Sequence, residues 1–287
     1  MPELPEVETV RRSLEMHLEG RTITAVEGEA VNLRRPLDPK ILTAVLVGRR
    51  LIAFRRRGKF LLVDLARISH QLPGEICGLD RGGSLLIHLG MSGRLQIAEA
   101  SEPRLPHNHL VLCLDDGREL RYADTRRFGL VDWLAPGTEA LDPSLSRLGV
   151  EPLDPRMIEI LPPLLHERRA PVKALLMDQH LVAGVGNIYA AEALWRARIR
   201  PTRAGNRTSL NRLTNLAVAI REVLTEAVAQ GGTTLRDYAT PEGEFGYFAL
   251  KLEVYGRQGE PCRGCGAALR AEVIGGRTTA WCPSCQR

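Results

Sequence analysis

The stretch CRGCGAALRAEVIGGRTTAWCPSC covers residues 262–285 and holds four of the six cysteines in two CxxC pairs. Sixteen residues separate Cys265 from Cys282, a spacing typical of a zinc ribbon, in which two knuckles supply four thiolates to one tetrahedral ion. Gly275-Gly276 stands midway and predicts the hairpin turn between the knuckles. Because four thiolates leave no open position, we predict one structural zinc ion. Its ligands are Cys262, Cys265, Cys282 and Cys285.

The remaining cysteines, the N-terminal residues and the net charge indicate where the protein is located and what kind of partner it binds. The other two cysteines, Cys77 and Cys113, stand alone, a pattern that suits a metal site in a reducing compartment better than a disulfide framework. The start, MPELPEVETV, is acidic and lacks an apolar run, so we predict no signal peptide, and no stretch is long enough to span a bilayer. A net charge of +5 favours an anionic partner. We therefore expect a cytoplasmic protein with no membrane partner.

The hydrophobic pattern changes from helical to strand-like after about residue 20. Residues 5–19 predict a helix that ends at Gly20. Its apolar face is formed by Val7, Val10, Leu14 and Leu18. From about residue 22 to 134, short β-like runs are separated by turns such as Asp116-Gly117, which indicates a sandwich or barrel. The runs are Arg50–Leu65, Ser84–His88, Leu110–Leu114 and Leu130–Leu134.

A second change follows Asp142–Pro155, where Pro, Asp and Gly become frequent and indicate a domain boundary. Residues 157–230 predict helices, interrupted by Gly184-Val185-Gly186-Asn187. One apolar stripe ends at Gly231-Gly232 and consists of Leu210, Leu213, Ala217, Ile220, Leu224 and Val228. We expect three domains, with the bounds 1–145, 146–240 and 241–287.

The first six residues have two interpretations. Removal of Met1 would expose Pro2 as a secondary amine, and an α-amino group with a pKa of roughly 7.7–8 is partly neutral and nucleophilic at pH 7. Its attack on the anomeric carbon of a deoxyribose would give an iminium, an electron sink for later eliminations, and Glu3 and Glu6 lie close enough in sequence to move the protons. Alternatively, proline and glutamate at a helix start cap the helix and complement its dipole. These six residues alone leave both interpretations open.

Several blocks in a fixed order resemble the bacterial formamidopyrimidine-DNA glycosylase family over essentially the whole chain. They are PELPEVETVRR (2–12), RRGKFLL (56–62), HLGMSGRL (88–95), DTRRFG (124–129), MDQHLVAGVGNIYAAEALW (177–195), GGTTLRDY (231–238), GYFALKLEVYGRQGEPC (246–262) and the CxxC pairs. The resemblance implies an α+β multidomain fold. Its parts are an N-terminal β-sandwich with flanking helices, a helix–two-turn–helix domain and a C-terminal four-cysteine zinc finger.

The resemblance also assigns the chemistry of the N-terminus. Pro2 matches the family's nucleophile, Glu3 its general acid/base, and Glu6 a supporting carboxylate. Lys59 matches a lysine at the phosphates around the lesion. Without the resemblance, the first expectation for Lys59 is an exposed strand face.

Three residues match the side chains that fill the gap left by an extruded base: Met91, Arg126 and Phe128. A base inside a duplex must be flipped out before chemistry, and an apolar wedge can insert in its place. Arginine carries only donors and cytosine's pairing edge offers two neighbouring acceptors, so Arg126 could favour an orphaned cytosine over adenine. Taken alone, Met91 and Phe128 would be expected in the core. Thr125 departs from the family, which usually has proline there.

Further DNA contacts follow from the resemblance at Asn187, Arg277 and His88, and Lys173 matches a lysine that the family uses near the lesion pocket. Gly184–Asn187 matches the turn of the helix–two-turn–helix, where glycines let the backbone approach a phosphate and a helix N-terminus favours an anion. A plain turn with Asn187 as N-cap is the alternative. For Arg277, spacing alone leaves open whether the zinc ribbon holds it against DNA or only stabilises the tail.

The resemblance implies a bacterial, nucleoid-associated, monomeric enzyme. It would excise 8-oxoguanine opposite cytosine and formamidopyrimidines from double-stranded DNA, and cleave the strand there or at abasic sites by β,δ-elimination. One alternative is an endonuclease VIII-like glycosylase for oxidised pyrimidines, and another is a non-catalytic zinc-containing DNA-binding protein. Residues 231–246 resemble a loop that caps the flipped base. Residues 66–83 look like a surface insertion.

Overall fold

The computed structural model describes residues 2–67, 80–104, 106–232 and 252–287. Its α-helices are α1 (Leu4–Leu18), α2 (Pro39–Leu46), α3 (Met157–His166), α4 (Val172–Met177), α5 (Asn187–Arg196) and α6 (Leu210–Ala229). Its strands are β1 (Ile23–Gly28), β2 (Val31–Asn32), β3 (Pro36–Leu37), β4 (Arg49–Arg57), β5 (Phe60–Arg67), β6 (Asp80–His88), β7 (Gly93–Glu99), β8 (Asn108–Leu114), β9 (Arg118–Asp124), β10 (Leu130–Leu134), β11 (Arg270–Ile274) and β12 (Arg277–Trp281). Short 3₁₀ turns cover Glu139–Leu141 and Gly205–Arg207.

The N-terminal β-rich region is the predicted sandwich. One antiparallel sheet has the order β1-β8-β9-β7 and the other the order β10-β6-β5-β4. Side chains at every second position, such as Leu61 and Val63 of β5 and Leu110 and Leu112 of β8, meet in one core. The predicted face of α1 packs into the same core through Val7, Val10, Leu14 and Leu18. The fold class predicted for this region is confirmed.

The predicted run Arg50–Leu65 is two strands rather than one. β4 and β5 form a hairpin in which Arg57 pairs with Phe60, so that Gly58 and Lys59 make the turn. Gly58 has φ +56°, a value that glycine adopts without steric cost. The chain therefore reverses at this glycine, and Lys59 lies in a turn instead of on a strand.

Helices dominate residues 157–229, as the sequence predicts. In α6 the stripe from Leu213 to Val228 is buried, whereas Leu210, in the first turn, is 50% exposed. The helix stops at Gly231 and Gly232, which have φ +75° and +81°, and both donate backbone N–H groups to carbonyls of the last turn. The predicted stripe and stop are thus confirmed, except at Leu210.

The cysteine-rich tail contains the expected hairpin. β11 and β12 pair antiparallel, with Ile274 opposite Arg277. Gly275 and Gly276 form the two-residue turn with φ +58° and +71°, as a type I′ turn requires. This turn places Arg277 at the first position of β12.

Contacts between residues divide the chain into two compact units. Of the described residues, the first unit contains 2 and 6–146, and the second contains 3–5, 147–232 and 252–287. The predicted bounds of three domains stay predictions. Most of the proposed insertion, residues 68–79, and most of the proposed base-capping loop, residues 233–246, lie outside the described residues.

Candidate functional site

Glu3 is a buried carboxylate at the N-terminus of a helix. It is 3% exposed, and its Oε2 accepts a hydrogen bond from the backbone N–H of Gly186 at 2.7 Å. Its Oε1 accepts from the N–H of Ile188 at 2.9 Å, and a longer contact of 3.4 Å comes from Tyr189. These donors lie at the N-terminus of α5, where backbone N–H groups point away from the helix, and they stabilise a negative charge. The helix N-terminus that the sequence assigns to a DNA phosphate therefore holds the Glu3 carboxylate.

The glycines of the turn let the N-terminal segment approach closely. A Cβ on Gly186 would lie 2.4 Å from Cδ of Glu3, and one on Gly184 would lie 2.8 Å from Cβ of Leu4. The N–H of Leu4 also donates to the carbonyl of Gly184 at 3.0 Å. The cap position is Gly186, and Asn187 is the first residue of the helix, so the alternative of Asn187 as N-cap is wrong.

Two other residues of the N-terminus are buried as well. Pro2, the predicted nucleophile, is buried directly before Glu3 in the chain. Glu6 is 0% exposed in the first turn of α1. Along the chain, the predicted nucleophile Pro2 therefore directly precedes a held carboxylate, and a second buried carboxylate follows three residues later.

Lys173, Asn187 and Thr279 form a hydrogen-bonded cluster, which we call the Lys173 cluster. Nζ of Lys173 donates to Oδ1 of Asn187 and to Oγ1 of Thr279, both at 2.5 Å. Lys173 is 0% exposed, and its burial lowers the pKa of its ammonium to about 8, with a smaller lowering from Arg277 and an opposing effect of Glu3. Arg277 itself is exposed on β12.

The loop Asp124–Gly129 carries two of the three predicted wedge residues. Arg126 and Phe128 are both exposed, and the guanidinium of Arg126 lies 5.0 Å from the centroid of the Phe128 ring. Phe128 is 48% exposed, so the expectation that it belongs to the core is wrong. Met91 is half-buried on the neighbouring loop between β6 and β7.

Buried polar groups that sequence reasoning missed support these two loops. Asp124, 0% exposed, accepts hydrogen bonds from Oγ of Ser92 at 2.6 Å, from the N–H of Gly129 at 2.8 Å and from the hydroxyl of Tyr122 at 3.3 Å. Oγ of Ser92 in turn accepts from the N–H of Arg126 at 2.9 Å. Ser92 therefore links the Met91 loop to the Arg126 loop. In the sequence, the only indication of this role is that Ser92 lies in the block HLGMSGRL and Asp124 in the block DTRRFG, both of which resemble the family.

Lys59 and His88 are both buried. Lys59 is 6% exposed in the β4–β5 turn, which excludes the exposed strand face. His88 is also 6% exposed, packs at 4.7 Å between centroids against Phe60, and accepts at Nδ1 from the N–H of Gly90 at 2.9 Å. Burial, followed by the charges of Arg34 and Lys59, lowers the pKa of His88 to about 3. His88 is therefore neutral at pH 7, and its side chain lies in the interior beneath the Met91 loop.

The four predicted metal ligands come together. The Sγ atoms of Cys262, Cys265, Cys282 and Cys285 all lie within 4.8 Å of one another. Two of these pairs are 4.0 Å and 3.5 Å apart. Tetrahedral zinc with bonds of about 2.3 Å requires sulfur–sulfur distances of about 3.8 Å. The cluster therefore fits a zinc ion, and Cys113 lies outside it.

A buried glutamate joins the zinc-binding region to α5. Glu192 is 4% exposed and accepts hydrogen bonds from three consecutive backbone N–H groups, those of Glu253, Val254 and Tyr255, at 2.8 to 3.0 Å. Burial raises the pKa of this carboxyl. No local pattern in the sequence indicates this contact, because its partners are more than sixty positions away.

None of the helices in the described part of the chain is both long and apolar enough to cross a membrane.

Three family models match the chain in the order of these regions. The formamidopyrimidine-DNA glycosylase N-terminal domain matches residues 1–131, the H2TH domain of that glycosylase matches 148–239, and a zinc finger found in FPG and IleRS matches 259–287. Together they account for most of the sequence.

Comparisons with full-length proteins and solved structures agree with the family models. The formamidopyrimidine-DNA glycosylase of Stenotrophomonas maltophilia (strain R551-3) is 46% identical, with 100% of both chains covered. The crystal structure of MutM (Fpg) from Thermus thermophilus is 42% identical, with a TM-score of 0.83 over 99% of this chain and 98% of that one. Wild-type Lactococcus lactis Fpg (MutM), solved with a DNA that contains N7-benzyl-Fapy-dG, is 32% identical, with a TM-score of 0.86 over 100% of both chains. The chain therefore belongs to the formamidopyrimidine-DNA glycosylase family.

Proposed function

We propose that this protein is a DNA glycosylase and strand-cleaving lyase that removes oxidised purines from duplex DNA, with Pro2 as its nucleophile. The observation that carries the proposal is the Glu3 carboxylate, which directly follows Pro2 and is held by backbone N–H groups at the start of α5. The hydrogen bonds favour the ionised form of this carboxylate, and an ionised carboxylate next to an amine nucleophile can accept a proton.

The chemistry follows from the amine. Once Met1 is removed, the nitrogen of Pro2 attacks C1′ of the damaged nucleotide and its N–H proton passes to Glu3. The bond from C1′ to the base breaks with its electron pair leaving on the base, which takes up a proton from water. Glu3 then returns its proton to the ring oxygen as the bond between C1′ and that oxygen opens, which gives an iminium that joins Pro2 to the sugar. Loss of a proton from C2′ to Glu3 expels the 3′ phosphate, and a second elimination expels the 5′ phosphate. Hydrolysis of the iminium restores the amine.

The wedge residues explain how the damaged nucleotide becomes accessible. Extrusion of a base leaves a gap in the duplex, and exposed apolar side chains can fill it. Phe128 supplies an exposed apolar side chain and Met91 a half-buried one, and Arg126 supplies donors for the acceptors of an orphaned cytosine. A relative was solved with N7-benzyl-Fapy-dG in its DNA, which supports damaged purines as the substrate class.

Positively charged and amide groups would hold the DNA backbone. The family resemblance assigns this role to Lys59, Asn187 and Arg277, and a positive net charge of +5 is consistent with it. The four cysteines would hold one zinc ion in a closed tetrahedral site, where its role is structural: it would fix the hairpin that presents Arg277. We expect a monomer that works in the bacterial cytoplasm, where the chromosomal DNA is.

Borohydride trapping tests the nucleophile. Reduction of the iminium by borohydride should link untagged protein covalently to a duplex with 8-oxoguanine opposite cytosine. The adduct should be lost in Pro2→Gly and retained in a Lys59→Ala variant. Intact-mass analysis first establishes that Met1 is absent, because a blocked Pro2 would imitate an inactive enzyme. Absence of an adduct from protein that lacks Met1 would contradict the proposal and favour a non-catalytic DNA-binding protein.

The substrate class needs a separate comparison. We expect faster excision of 8-oxoguanine opposite cytosine than of thymine glycol, because the relatives are named for formamidopyrimidine, a ring-opened purine. The opposite order of rates would indicate the endonuclease VIII-like alternative.

A further inference from the structure

Lys173 lies between a helix of the second unit and the zinc-finger hairpin. Its side chain is 0% exposed, and its ammonium donates to Asn187, the first residue of α5, and to Thr279 of β12. A side chain with no exposed surface does not touch DNA in this conformation. The role that the resemblance implies for Lys173 near the lesion therefore has to be exerted through its partners.

The hydrogen bonds around Lys173 have a defined direction. Because an ammonium has only donors, Asn187 must turn its amide oxygen towards Lys173. The amide nitrogen of Asn187 then donates one hydrogen to the carbonyl of Thr278 at 3.2 Å. Its second hydrogen remains available for an acceptor such as a phosphate oxygen.

The second branch from Lys173 reaches Arg277. The hydroxyl of Thr279 accepts from Lys173 and donates to the carbonyl of Arg277 at 3.2 Å. The backbone of Arg277 is thus fixed at the first position of β12, directly after the type I′ turn, while its side chain is exposed. The two branches connect α5 and β12 to one ammonium group.

We propose that Lys173 is a positioning residue that holds the amide of Asn187 and the backbone of Arg277, so that the side chains of these two residues act as a single phosphate clamp. The clamp joins the helix–two-turn–helix to the zinc-finger hairpin, so that both engage the DNA backbone at once. This inference rests on the proposed function, and it replaces direct lesion contact as the role of Lys173.

The electrostatics of the cluster agree with this role. Burial of an ammonium is costly unless hydrogen bonds compensate for the lost water, and Asn187 and Thr279 provide them. The nearby Glu3 carboxylate favours the charged form, whereas Arg277 disfavours it. Arginine has a larger planar head with five donors, which two single acceptors do not satisfy, and this accounts for a lysine in a chain with only four among its 39 basic residues.

Two substitutions test the clamp, one at each end of the hydrogen bond from Lys173 to Thr279. Lys173→Met and Thr279→Val each remove this hydrogen bond with little change of side-chain volume. The readout is the affinity for a duplex with a tetrahydrofuran abasic-site analogue, measured from 50 to 200 mM salt. We expect binding about tenfold weaker, and a plot of log K against log salt whose slope is smaller by about 0.9 for each lost phosphate contact. Zinc content should stay at one ion per chain.

Thr208→Val is the matched control. Thr208 is also 0% exposed, and its hydroxyl donates to the carbonyl of Ala204 at 2.9 Å, outside the Lys173 cluster. Its substitution should lower thermal stability about as much as Thr279→Val but leave the salt slope at the wild-type value. An Arg277→Ala background gives a second control, because Lys173→Met should then cost much less than it costs alone.

Three results would overturn the inference. The first is wild-type affinity and slope in both variants, and the second is an equal loss of slope in Thr208→Val. The third is unchanged affinity with selectively slower excision of 8-oxoguanine in Lys173→Met, which would indicate direct reading of the lesion. Borohydride trapping of the wild type separates these outcomes from failure of the proposed function, because trapping does not depend on either variant.

Discussion

At the scale of single residues, Gly186 determines how close Glu3, the proposed proton acceptor, comes to α5. Its φ is not in the left-handed region, so its backbone would accept other residues. The constraint is steric, because a Cβ would lie 2.4 Å from Cδ of Glu3. Glu3 takes the place of a helix-capping side chain, although 183 positions separate it from Gly186 in sequence. The capping acceptor and the proposed proton acceptor are thus one carboxylate.

His88 makes the native state sensitive to acid. An ordinary histidine takes up a proton near pH 6.5, whereas native His88 stays neutral down to about pH 3. Between these values the unfolded chain binds more protons, so stability falls as the pH drops from 6.5 towards 3. We expect His88 to account for a loss of up to roughly 4 kcal/mol over this range. This loss can be measured by comparing the free energy of urea unfolding of the wild type with that of His88→Asn at several pH values.

His88→Asn keeps an acceptor for the N–H of Gly90 and does not titrate, so its unfolding free energy should depend less on pH below 6.5. Protonation of the zinc-binding cysteines affects both proteins equally and cancels in the difference. Parallel pH profiles for the two proteins would show that His88 titrates normally in the native state.

At the scale of elements, hydrogen bonds from polar groups connect the Met91 loop to the Arg126 loop. Asp124 ends β9 and accepts from three donors, one of which, Ser92, lies on the loop of Met91. The guanidinium of Arg34 adds a hydrogen bond of 3.1 Å to the carbonyl of Phe128. Thr125 stands where the family usually has proline, and this network restrains the loop independently of that position.

Ser92→Ala should therefore weaken recognition of the base opposite the lesion. Loss of the hydroxyl leaves Asp124 with two donors and Arg126 without its backbone partner, at a cost of about 1–3 kcal/mol for the buried carboxylate. We expect the preference for cytosine over adenine opposite 8-oxoguanine to fall about tenfold in kcat/KM. Ser101→Ala, at an exposed serine outside these loops, should change nothing. Unaltered preference in Ser92→Ala would mean that Arg126 is positioned without this link.

Local patterns predicted the elements but not the polar contacts between them. The helical spacing of α1, the glycine stop of α6 and the Gly275-Gly276 turn each depend on a few neighbouring residues, so the sequence shows them directly. The bond from Lys173 to Thr279 spans 106 positions. No periodicity indicates such a pair, and the role of Lys173 was predicted from the family resemblance.

At the scale of the whole molecule, the described residues contain separate cores with different sources of stability. The sandwich core of the first unit is a large apolar cluster that includes Leu14, Leu61 and Leu112. The core around the zinc finger is small and consists of Ala191, Val254, Cys262, Leu269 and Cys282. A core of this size buries too little apolar area to fold a hairpin alone, so we expect metal binding to supply the difference.

Removal of zinc should therefore unfold the hairpin and leave the sandwich intact. Binding of structural zinc contributes about 10–16 kcal/mol in isolated fingers at pH 7, far more than the apolar cluster can replace. Cys282→Ala, or treatment with a strong chelator, should expose β11 and β12 to proteolysis and reduce affinity for the abasic-site duplex at least about a hundredfold. Peptide mapping by mass spectrometry locates the cuts.

Cys113→Ala is the control for the loss of a thiol. Cys113 is half-buried on β8 and lies outside the four-sulfur cluster, so this variant should keep one zinc ion per chain and wild-type affinity. The sandwich should show the same thermal transition in both variants, because its core contains none of the four ligands. If Cys282→Ala kept a protected hairpin and full affinity, Arg277 would be held by the Lys173 cluster and Glu192 without help from the metal.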